Sequence, residues 1–447
     1  MTYVETRRHE LRKRALLMID GSLTTNQQSS EGGACVRVQQ GGYWGFASAT
    51  GASDAQAIER LKDRALRNAQ AMAAFGPKEA AGLPGGTYKG RHAFQGRPAI
   101  GQKELVERLQ AITDWCRSRY PDLKSVRVRA EDEHHDKHVT NSLGSDASQA
   151  IQRGMVSIAF TIDGADGTPV ELVEGDSCKG SLADLDLGPA AWEARLDALH
   201  GHLQAKREAV HARGGLKTVV LGPALAGILA HEAMGHPCEA DIVLGGAITG
   251  DLVGKSIASE LVSMVDIAHT FRGEEAMVPV YVDDEGAPGQ DAVLIDRGVL
   301  RGFMSSRETA AQLGIPVTGS ARAYAPADEP LVRMRNTVIL PGNDKLDDMI
   351  AGVDDGYYLL RTSNGQADTT TEFMFGVTLG YEIKGGKLGR AIRDTTLSGS
   401  AIKVLQAVDA VSSEVQWEAR GYCGKKQVMV VSMGGPALRT RAQLGGE

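Results

Sequence analysis

The second half of the chain places the strongest constraint on the fold. From residue 277 to residue 440 the sequence consists mostly of short apolar and β-branched runs separated by Gly, Asn and Asp. Runs of this length with such boundaries are typical of antiparallel strands joined by turns. Two stretches with a helical pattern, near residues 307–313 and 400–411, interrupt them. We therefore expect a β-rich C-terminal domain built as an antiparallel sandwich or a barrel-like sheet.

The first half of the chain mixes helical and strand patterns. Four stretches predict helices, at residues 5–22, 53–74 (with Ser53 as the N-cap), 102–119 and 190–213. Shorter runs predict a hairpin at residues 34–47 and strands near residues 124–130, 135–142 and 154–162. We therefore expect an N-terminal α+β domain.

A domain boundary is expected near Gly214. With 447 residues the chain is longer than one compact core usually holds. The last predicted helix of the first half ends at Gly214 and Gly215, and an apolar strand-like run follows at residues 216–221. The fold predicted for the whole chain is α+β, with residues 1–214 as the N-terminal domain and residues 215–447 as the β-rich C-terminal domain.

Composition narrows the class of protein. The chain has 49 Lys and Arg against 56 Asp and Glu, a net charge of -7, which argues against a nucleic-acid partner. No apolar stretch is long enough to cross a bilayer, and the N-terminus lacks an apolar signal core. We expect a cytoplasmic protein without a membrane partner. Disulfides are not expected, because the five cysteines are odd in number and widely spaced: Cys35, Cys116, Cys178, Cys238 and Cys423.

Chemistry concentrates in a short segment at the start of the C-terminal domain. Residues 224–235 form an apolar helical pattern that delivers His231, Glu232 and His236 and ends at Pro237. Charged groups in apolar surroundings need a partner, and a divalent cation supplies one. The segment therefore predicts a metal site, although a single histidine in such a setting is more often a satisfied core residue.

The spacing of the two histidines predicts a distorted helix. In the common H-E-x-x-H zinc motif the histidines lie one turn apart on one face, whereas His231 and His236 are five positions apart. On a regular helix five positions turn the second side chain by roughly 140° from the first. Both can reach one ion only if the helix unwinds or bulges before His236. Gly235 tolerates such a backbone, and Pro237 marks the helix end.

The remaining roles follow from metal chemistry. A divalent cation lowers the pKa of a bound water to about 7, and Glu232 is suited to take its proton as general base. A third ligand is needed. The spacing does not choose between neighbours of the motif and a thiol far along the chain, so four residues stay open as ligands: Cys238, Glu239, Asp241 and Cys423.

Several segments, in order along most of the chain, resemble the TldD/PmbA peptidases. The motif His231-Glu232-Ala233-Met234-Gly235-His236 is similar to the H-E-x-x-x-H motif of the catalytic TldD-type subunit. Five further segments resemble landmarks of the family, at residues 41–48, 296–300, 333–337, 373–377 and 423–425.

The resemblance implies a function and a ligand set. A zinc-type metal would be held by His231, His236 and Cys423, with Glu232 as general base. Family membership also implies an N-terminal α+β domain, a β-rich C-terminal domain and a dimer with an enclosed cavity, either a homodimer or a heterodimer with a PmbA-type subunit that lacks the metal motif. The substrates implied are unfolded or flexible peptides.

The leading prediction is thus a metallopeptidase that hydrolyses peptide bonds. Two alternatives stay open: a tailoring enzyme that matures one peptide or amino-acid-derived product, and a non-catalytic subunit that binds peptide. A substrate could bind as an added strand along residues 365–369, although this segment also fits an ordinary loop.

Overall fold

The computed structural model describes residues 2–52, 54–76, 78, 82–94 and 96–446. Its N-terminal half contains seven strands and three α-helices: β1 Tyr3–Ile19, β2 Ser22–Gln40, β3 Tyr43–Thr50, α1 Ala55–Met72, β4 Lys89–Ala93, α2 Gln102–Arg119, β5 Ser125–Asn141, β6 Asp146–Asp163, β7 Pro169–Lys179 and α3 Pro189–Arg207. The strands form one sheet in the order β3-β2-β1-β5-β6-β4, and β7 pairs with β6. Helices α1, α2 and α3 form where the sequence predicts them. Asp54 caps α1, and the predicted cap Ser53 lies outside the described residues.

The prediction of a helix at residues 5–22 is wrong, because this segment is the long strand β1. Its burial alternates with the period of two that a strand requires. The buried positions include Glu5, Arg7 and His9, with half-buried or exposed residues between them. Since polar side chains occupy the buried face, hydrophobicity along the strand does not alternate visibly, and the few apolar residues mimic helical spacing.

The C-terminal half contains nineteen strands and five α-helices among the described residues. The strands are β8 Gly215–Leu221, β9 Met264–Ile267, β10 Thr270–Phe271, β11 Glu274–Glu275, β12 Ala292–Asp296, β13 Val299–Leu300, β14 Ala321–Arg322, β15 Leu331–Val332, β16 Asn336–Ile339, β17 Asp355–Ala367, β18 Glu372–Lys384, β19 Lys387–Ala391, β20 Thr395–Ser400, β21 Ala410–Val411, β22 Gln416–Glu418, β23 Tyr422–Lys425, β24 Gln427–Val430, β25 Ser432–Gly435 and β26 Leu438–Leu444. The helices are α4 Pro223–Ile228, α5 Ala240–Leu244, α6 Arg307–Leu313, α7 Leu346–Ala351 and α8 Ala401–Gln406.

A small closed barrel organises this half. Strands β17, β8, β26, β20 and β18 pair in that order, and β18 pairs back with β17. A second sheet has the order β13-β12-β9-β16-β25-β22. The predicted β-rich, barrel-like domain is confirmed, with one correction: β8 pairs with β17 and β16 with β25 in parallel, so the sheets are not purely antiparallel.

The two halves pack against each other through shared apolar clusters. Leu11 of β1 belongs to the large core of the C-terminal half, and Leu379 of β18 belongs to the core of the N-terminal sheet. The division of the chain at residue 214 therefore stays a prediction. Among the described residues, no helix combines the length and the apolar character that crossing a membrane requires.

Candidate metal centre

The candidate metal centre begins at the end of the first barrel strand. Gly222 follows β8 and precedes Pro223, the first residue of α4, where a missing N–H costs nothing. Leu225, Ala226 and Ile228 are buried, so this short helix runs through the core. It packs against β25 and β17 and continues directly into the segment Leu229–Gly235.

The segment Leu229–Gly235 is π-helical. The backbone N–H of His236 donates to the carbonyl of His231, a bond that spans five residues instead of four. One such turn separates the two histidines, so their side chains come to the same side. The ring centroids lie 5.3 Å apart with an angle of 77° between the ring planes. The distortion expected from the five-residue spacing is present, in the form of a π-turn.

Gly235 is required for a reason different from the predicted one. Its φ of -62° and ψ of -54° are ordinary helical values, so no special backbone freedom is used here. A Cβ at this position would instead overlap Met334 Sδ, well inside van der Waals contact. The glycine therefore permits the close approach of Met334 to the π-turn.

The third donor comes from a hairpin far along the sequence. Cys423 lies in β23, which pairs with β24 around a turn at Lys426, where φ is 59°. The ligand atoms of His231, His236 and Cys423 all lie within 4.8 Å of one another, and Cys423 Sγ is 3.1 Å from His236 Nε2. Arg333 holds the hairpin in place by donating to the carbonyl of Cys423 at 2.8 Å.

Two of the three neighbouring candidates for the third ligand are engaged by other side chains, and none of the three belongs to the converging group of donors among the described residues. Glu239 is fully buried and accepts a hydrogen bond from His236 Nδ1 at 2.8 Å, on the ring nitrogen that faces away from Cys423. Asp241 accepts from Lys425 Nζ at 2.9 Å. Burial raises the pKa of the Cys238 thiol to about 12, which keeps it protonated. The structure thus brings Cys423 to the two histidines.

The pKa values of three side chains in and beside the cluster are strongly shifted. Burial alone would raise the pKa of Cys423, but hydrogen bonds with His231 and His236 lower it to about 5. Burial would lower the pKa of His236, but the charges of Glu239 and Cys423 raise it to about 10. Burial would likewise raise the pKa of Glu239, yet His236 and Lys425 lower it to about 2. Without a cation the site therefore holds a thiolate, an imidazolium and a carboxylate.

The Glu232 side chain faces the cluster of His231, His236 and Cys423 without forming a hydrogen bond to either histidine. Its side chain is 22% exposed, with Oε1 lying 3.8 Å from His231 Nε2 and Oε2 lying 3.6 Å from His236 Nε2. Both distances exceed a hydrogen bond. The carboxylate is thus beside the donor cluster, reachable from solvent and not committed to a protein partner at these nitrogens.

The donor set fits a borderline cation such as zinc. Zn–N distances of about 2.0–2.1 Å and a Zn–S distance of about 2.3 Å place tetrahedral ligand atoms about 3.3–3.6 Å apart, close to the spacing of Cys423 Sγ and His236 Nε2. Glu239 fixes the His236 ring from behind, as carboxylates do for zinc-bound histidines. His231 is not a satisfied core histidine, because its buried Nδ1 has no hydrogen-bond partner within the described part of the chain.

Sequence reasoning missed the supports of the site. Arg333, Met334 and Lys425 each hold a part of it: the hairpin carbonyls, the face of Gly235, and the Glu239–Asp241 pair. All three lie in segments 333–337 and 423–425, which resemble family landmarks. The resemblance marked these segments, but no local pattern assigned their side chains a role.

Family models match both halves of the chain. The PmbA/TldA metallopeptidase C-terminal domain matches residues 214–445, and the PmbA/TldA metallopeptidase domain 1 matches residues 4–69. The matched C-terminal region contains the π-turn and the Cys423 hairpin.

Individual relatives point to the same family as these models. A zinc metalloprotease TldD homologue of Saccharolobus solfataricus is 29% identical over 343 residues, covering 76% of this chain and 75% of that one. A metalloprotease of Methanothermobacter thermautotrophicus is 30% identical over 457 residues, covering 99% of this chain and 95% of that one. TldE of Thermococcus kodakarensis shares the fold, with a TM-score of 0.77 over 99% of this chain and 97% of that one at 18% identity. The resemblance read from the sequence motifs is confirmed: the chain belongs to the TldD/PmbA metallopeptidase family.

Proposed function

We propose that this chain is a metal-dependent peptidase that hydrolyses peptide bonds in unfolded or flexible peptides. The proposed ligands of a divalent cation, zinc in the first place, are His231, His236 and Cys423. The observation that carries the proposal is the convergence of these three donors beside the uncommitted carboxylate of Glu232. The names of the relatives from Saccharolobus solfataricus and Methanothermobacter thermautotrophicus support it.

Different residues of the site are proposed to prepare different ligand atoms for the cation. Glu239 accepts the Nδ1–H of His236, so Nε2 is the ring nitrogen that can bind a cation once its own proton is released. The low pKa of Cys423 makes its sulfur a thiolate, the form that binds metal. When bound, a divalent cation lowers the pKa of water and polarises the substrate carbonyl, and three protein ligands leave a fourth position open for this.

Glu232 is proposed as the general base. Its carboxylate lies beside both Nε2 atoms and is partly exposed, so it can take a proton from the attacking water and deliver it to the leaving amine. The presence of this residue argues against a purely non-catalytic, peptide-binding subunit.

A peptide is proposed to bind as an added strand beside β17. This strand pairs with β8 only over Gly356–Leu359, while its residues 361–362 and 365–367 pair with β18 alone within the described part of the chain. A Cβ at Gly365 would lie 3.3 Å from Ile228 Cδ1, so one face of this part of β17 packs on the end of α4. Strand addition reads backbone more than side chains and requires an unstructured substrate.

Metal analysis combined with one substitution tests the proposal. Purified wild-type protein is expected to contain about one zinc per chain and to cleave a library of unstructured peptides, and a chelator should abolish cleavage. Glu232→Gln should keep the metal and lower kcat/KM by about 10³-fold, since general acid–base catalysis contributes about 10²–10⁴-fold. Glu59→Gln, at an exposed glutamate of α1, is the matched control and should change neither quantity. Cleavage that survives Glu232→Gln would exclude this residue as the base, and wild-type protein that binds no cation would exclude the metallopeptidase.

The assembly is proposed to be a homodimer or a heterodimer with a PmbA-type subunit, in the cytoplasm. This proposal rests on the dimer that the family resemblance implies, and TldE of Thermococcus kodakarensis has the same fold as this chain. Light scattering on the chain alone and after co-expression with a PmbA-type chain distinguishes the two. A monomer in both cases would exclude the dimer.

A further inference from the structure

A buried carboxylate of the N-terminal sheet reaches the hairpin that carries Cys423. Glu133 lies in β5, and its Oε2 accepts hydrogen bonds from the hydroxyls of Tyr422 at 2.9 Å and Tyr324 at 2.8 Å. Tyr422 immediately precedes Cys423 in β23. This carboxylate lies 289 positions away from Tyr422 in sequence. It therefore fixes, through a hydrogen bond, the side chain next to the proposed thiolate ligand.

A second residue of the N-terminal sheet, Arg153, contacts both Glu133 and Tyr422. Arg153 of β6 lies with Nε 3.2 Å from Glu133 Oε1, and its guanidinium covers the Tyr422 ring at 4.7 Å from the centroid. Its Nη1 also donates to the carbonyl of Ala419 at 2.9 Å, three residues before Tyr422. Burial would raise the pKa of Glu133, but the adjacent His135, Arg153 and Tyr324 lower it to about 2, so the carboxylate is charged.

The hairpin needs such anchors. Strands β23 and β24 form a two-stranded sheet of their own, and isolated two-stranded hairpins are marginally stable. Successive side chains of a strand point to opposite faces, so Tyr422 and Cys423 lie on opposite sides of β23. A rotation of the strand about its axis would swing both side chains together. Holding the hydroxyl and one ring face of Tyr422 therefore fixes the direction in which Cys423 Sγ points.

We propose that Glu133 and Arg153 are positioning residues for Cys423, acting through Tyr422. The inference rests on the proposed metal site. It makes the N-terminal sheet part of the metal centre: two of its buried charges set the place of the thiolate, in addition to any contact of that domain with substrate.

Removing one oxygen atom tests the inference. Tyr422→Phe keeps the ring under Arg153 and leaves Glu133 with Tyr324 and Arg153 as partners, so the fold should survive. Zinc affinity, measured by competition with a chelator, is expected to fall about tenfold, at the lower end of the 10–100-fold typical for outer-shell changes. In cobalt-substituted protein the sulfur-to-cobalt charge-transfer band should weaken or shift, because this band reports the metal–thiolate bond directly.

Tyr381→Phe is the matched control. The Tyr381 hydroxyl lies 2.7 Å from His202 Nδ1 and also joins the two halves of the chain, but on β18 and α3 and away from the hairpin. It should leave zinc affinity and the cobalt spectrum unchanged, while both variants should lose a similar, small amount of stability in the chelated state. Combining Tyr422→Phe with Glu133→Gln should weaken zinc binding no further than Glu133→Gln alone.

The outcomes separate this inference from the proposed function. If wild-type protein binds zinc and Tyr422→Phe binds it equally well with an unchanged cobalt spectrum, the positioning role is overturned and the metal site stands. If the control weakens zinc binding as much as Tyr422→Phe, the effect is general loosening between the halves, and the positioning role is overturned as well. If wild-type protein binds no cation, the proposed function fails and this inference fails with it.

Discussion

Two buried polar clusters lie next to each other, because Arg335 belongs to one and its neighbour Met334 contacts the other. The clusters differ in how fully their polar groups are paired within the protein. Arg335 forms a fully buried ion pair with Asp266 at 2.7 Å, and its other nitrogens donate to backbone carbonyls such as those of Thr318 and Gln290. Its neighbour Met334 packs against Gly235 in the π-turn of the candidate metal centre. There the donors face each other and the partly exposed carboxylate of Glu232, and the buried Nδ1 of His231 has no partner among the described residues.

The two clusters differ in whether their buried polar groups are paired within the protein. This difference separates a role in stability from a role in chemistry. A buried charge that is neutralised and fully hydrogen-bonded by the protein holds the fold in one arrangement. At the proposed metal centre the buried donors converge on one another, the pKa of the thiol is lowered and Glu239 holds one imidazole, an arrangement that suits a bound cation. Stability should therefore respond to the Arg335 cluster, and metal binding to the His231–His236–Cys423 cluster.

The largest effect should come from breaking the satisfied cluster. Arg335→Met leaves Asp266 buried without its partner, which typically costs about 3–5 kcal/mol of unfolding free energy. Arg301→Met removes an exposed pair with Asp296 and should cost less than about 1 kcal/mol. Urea unfolding of the metal-free proteins checks both. Equal losses in the two variants would show that the Arg335 cluster stabilises the fold no more than an exposed ion pair does.

The next effect concerns the thiolate. Cys423→Ala should weaken zinc binding more than about 100-fold, beyond the range of outer-shell changes. Cys238→Ala, at a buried and protonated thiol close in sequence to His236, should keep wild-type metal content. Chelator competition and elemental analysis measure both. Unchanged metal content in Cys423→Ala would move the third ligand to Glu239 or Asp241.

A smaller effect is expected at the π-turn. Gly235→Ala places a methyl group on Met334 Sδ, an overpacking that typically costs about 1–3 kcal/mol and should displace His236. Zinc affinity should fall about tenfold and recover in the double variant with Met334→Ala, which makes room. Gly201→Ala, in the middle of α3 with open space at the Cβ position, should be neutral or slightly stabilising. A Gly235→Ala protein with full zinc affinity would show that the close approach of Met334 is not needed.

The last prediction concerns the number of protons that zinc binding releases. In the metal-free site at pH 7, Cys423 with a pKa of about 5 is already a thiolate, while His236 with a pKa of about 10 still carries its second proton. Zinc binding should then release about one proton, and zinc affinity should rise about tenfold per pH unit between pH 5 and pH 10. Below pH 5 the thiol also protonates, and the slope should steepen toward two protons. Calorimetry in buffers of different ionisation enthalpy measures the number; release of no proton at pH 7 would contradict the imidazolium.

Much of the fold followed from local patterns, and one element did not. Helices α1, α2 and α3 formed over the predicted segments, although α3 ends at Arg207, before the predicted end at residue 213. The segment 5–22 became strand β1 because Glu5, Arg7 and His9 find charged or polar partners inside the protein, such as Arg37 for Glu5 and His135 for His9. Such partners lie on other strands, so no window of sequence around residues 5–22 contains the information that makes a strand.

The sequence by itself determined that His231 and His236 require a distorted helix, because a five-residue spacing and a regular 3.6-residue turn are incompatible. It also determined the barrel-like character of the second half, through short runs and frequent turns. Only the tertiary structure decided how the distortion is built, which residue packs on Gly235, and which of four candidates stands next to the histidines. Those choices depend on contacts between segments about a hundred or more residues apart, and the distance between such segments is set by the packing of the whole chain, not by any local preference.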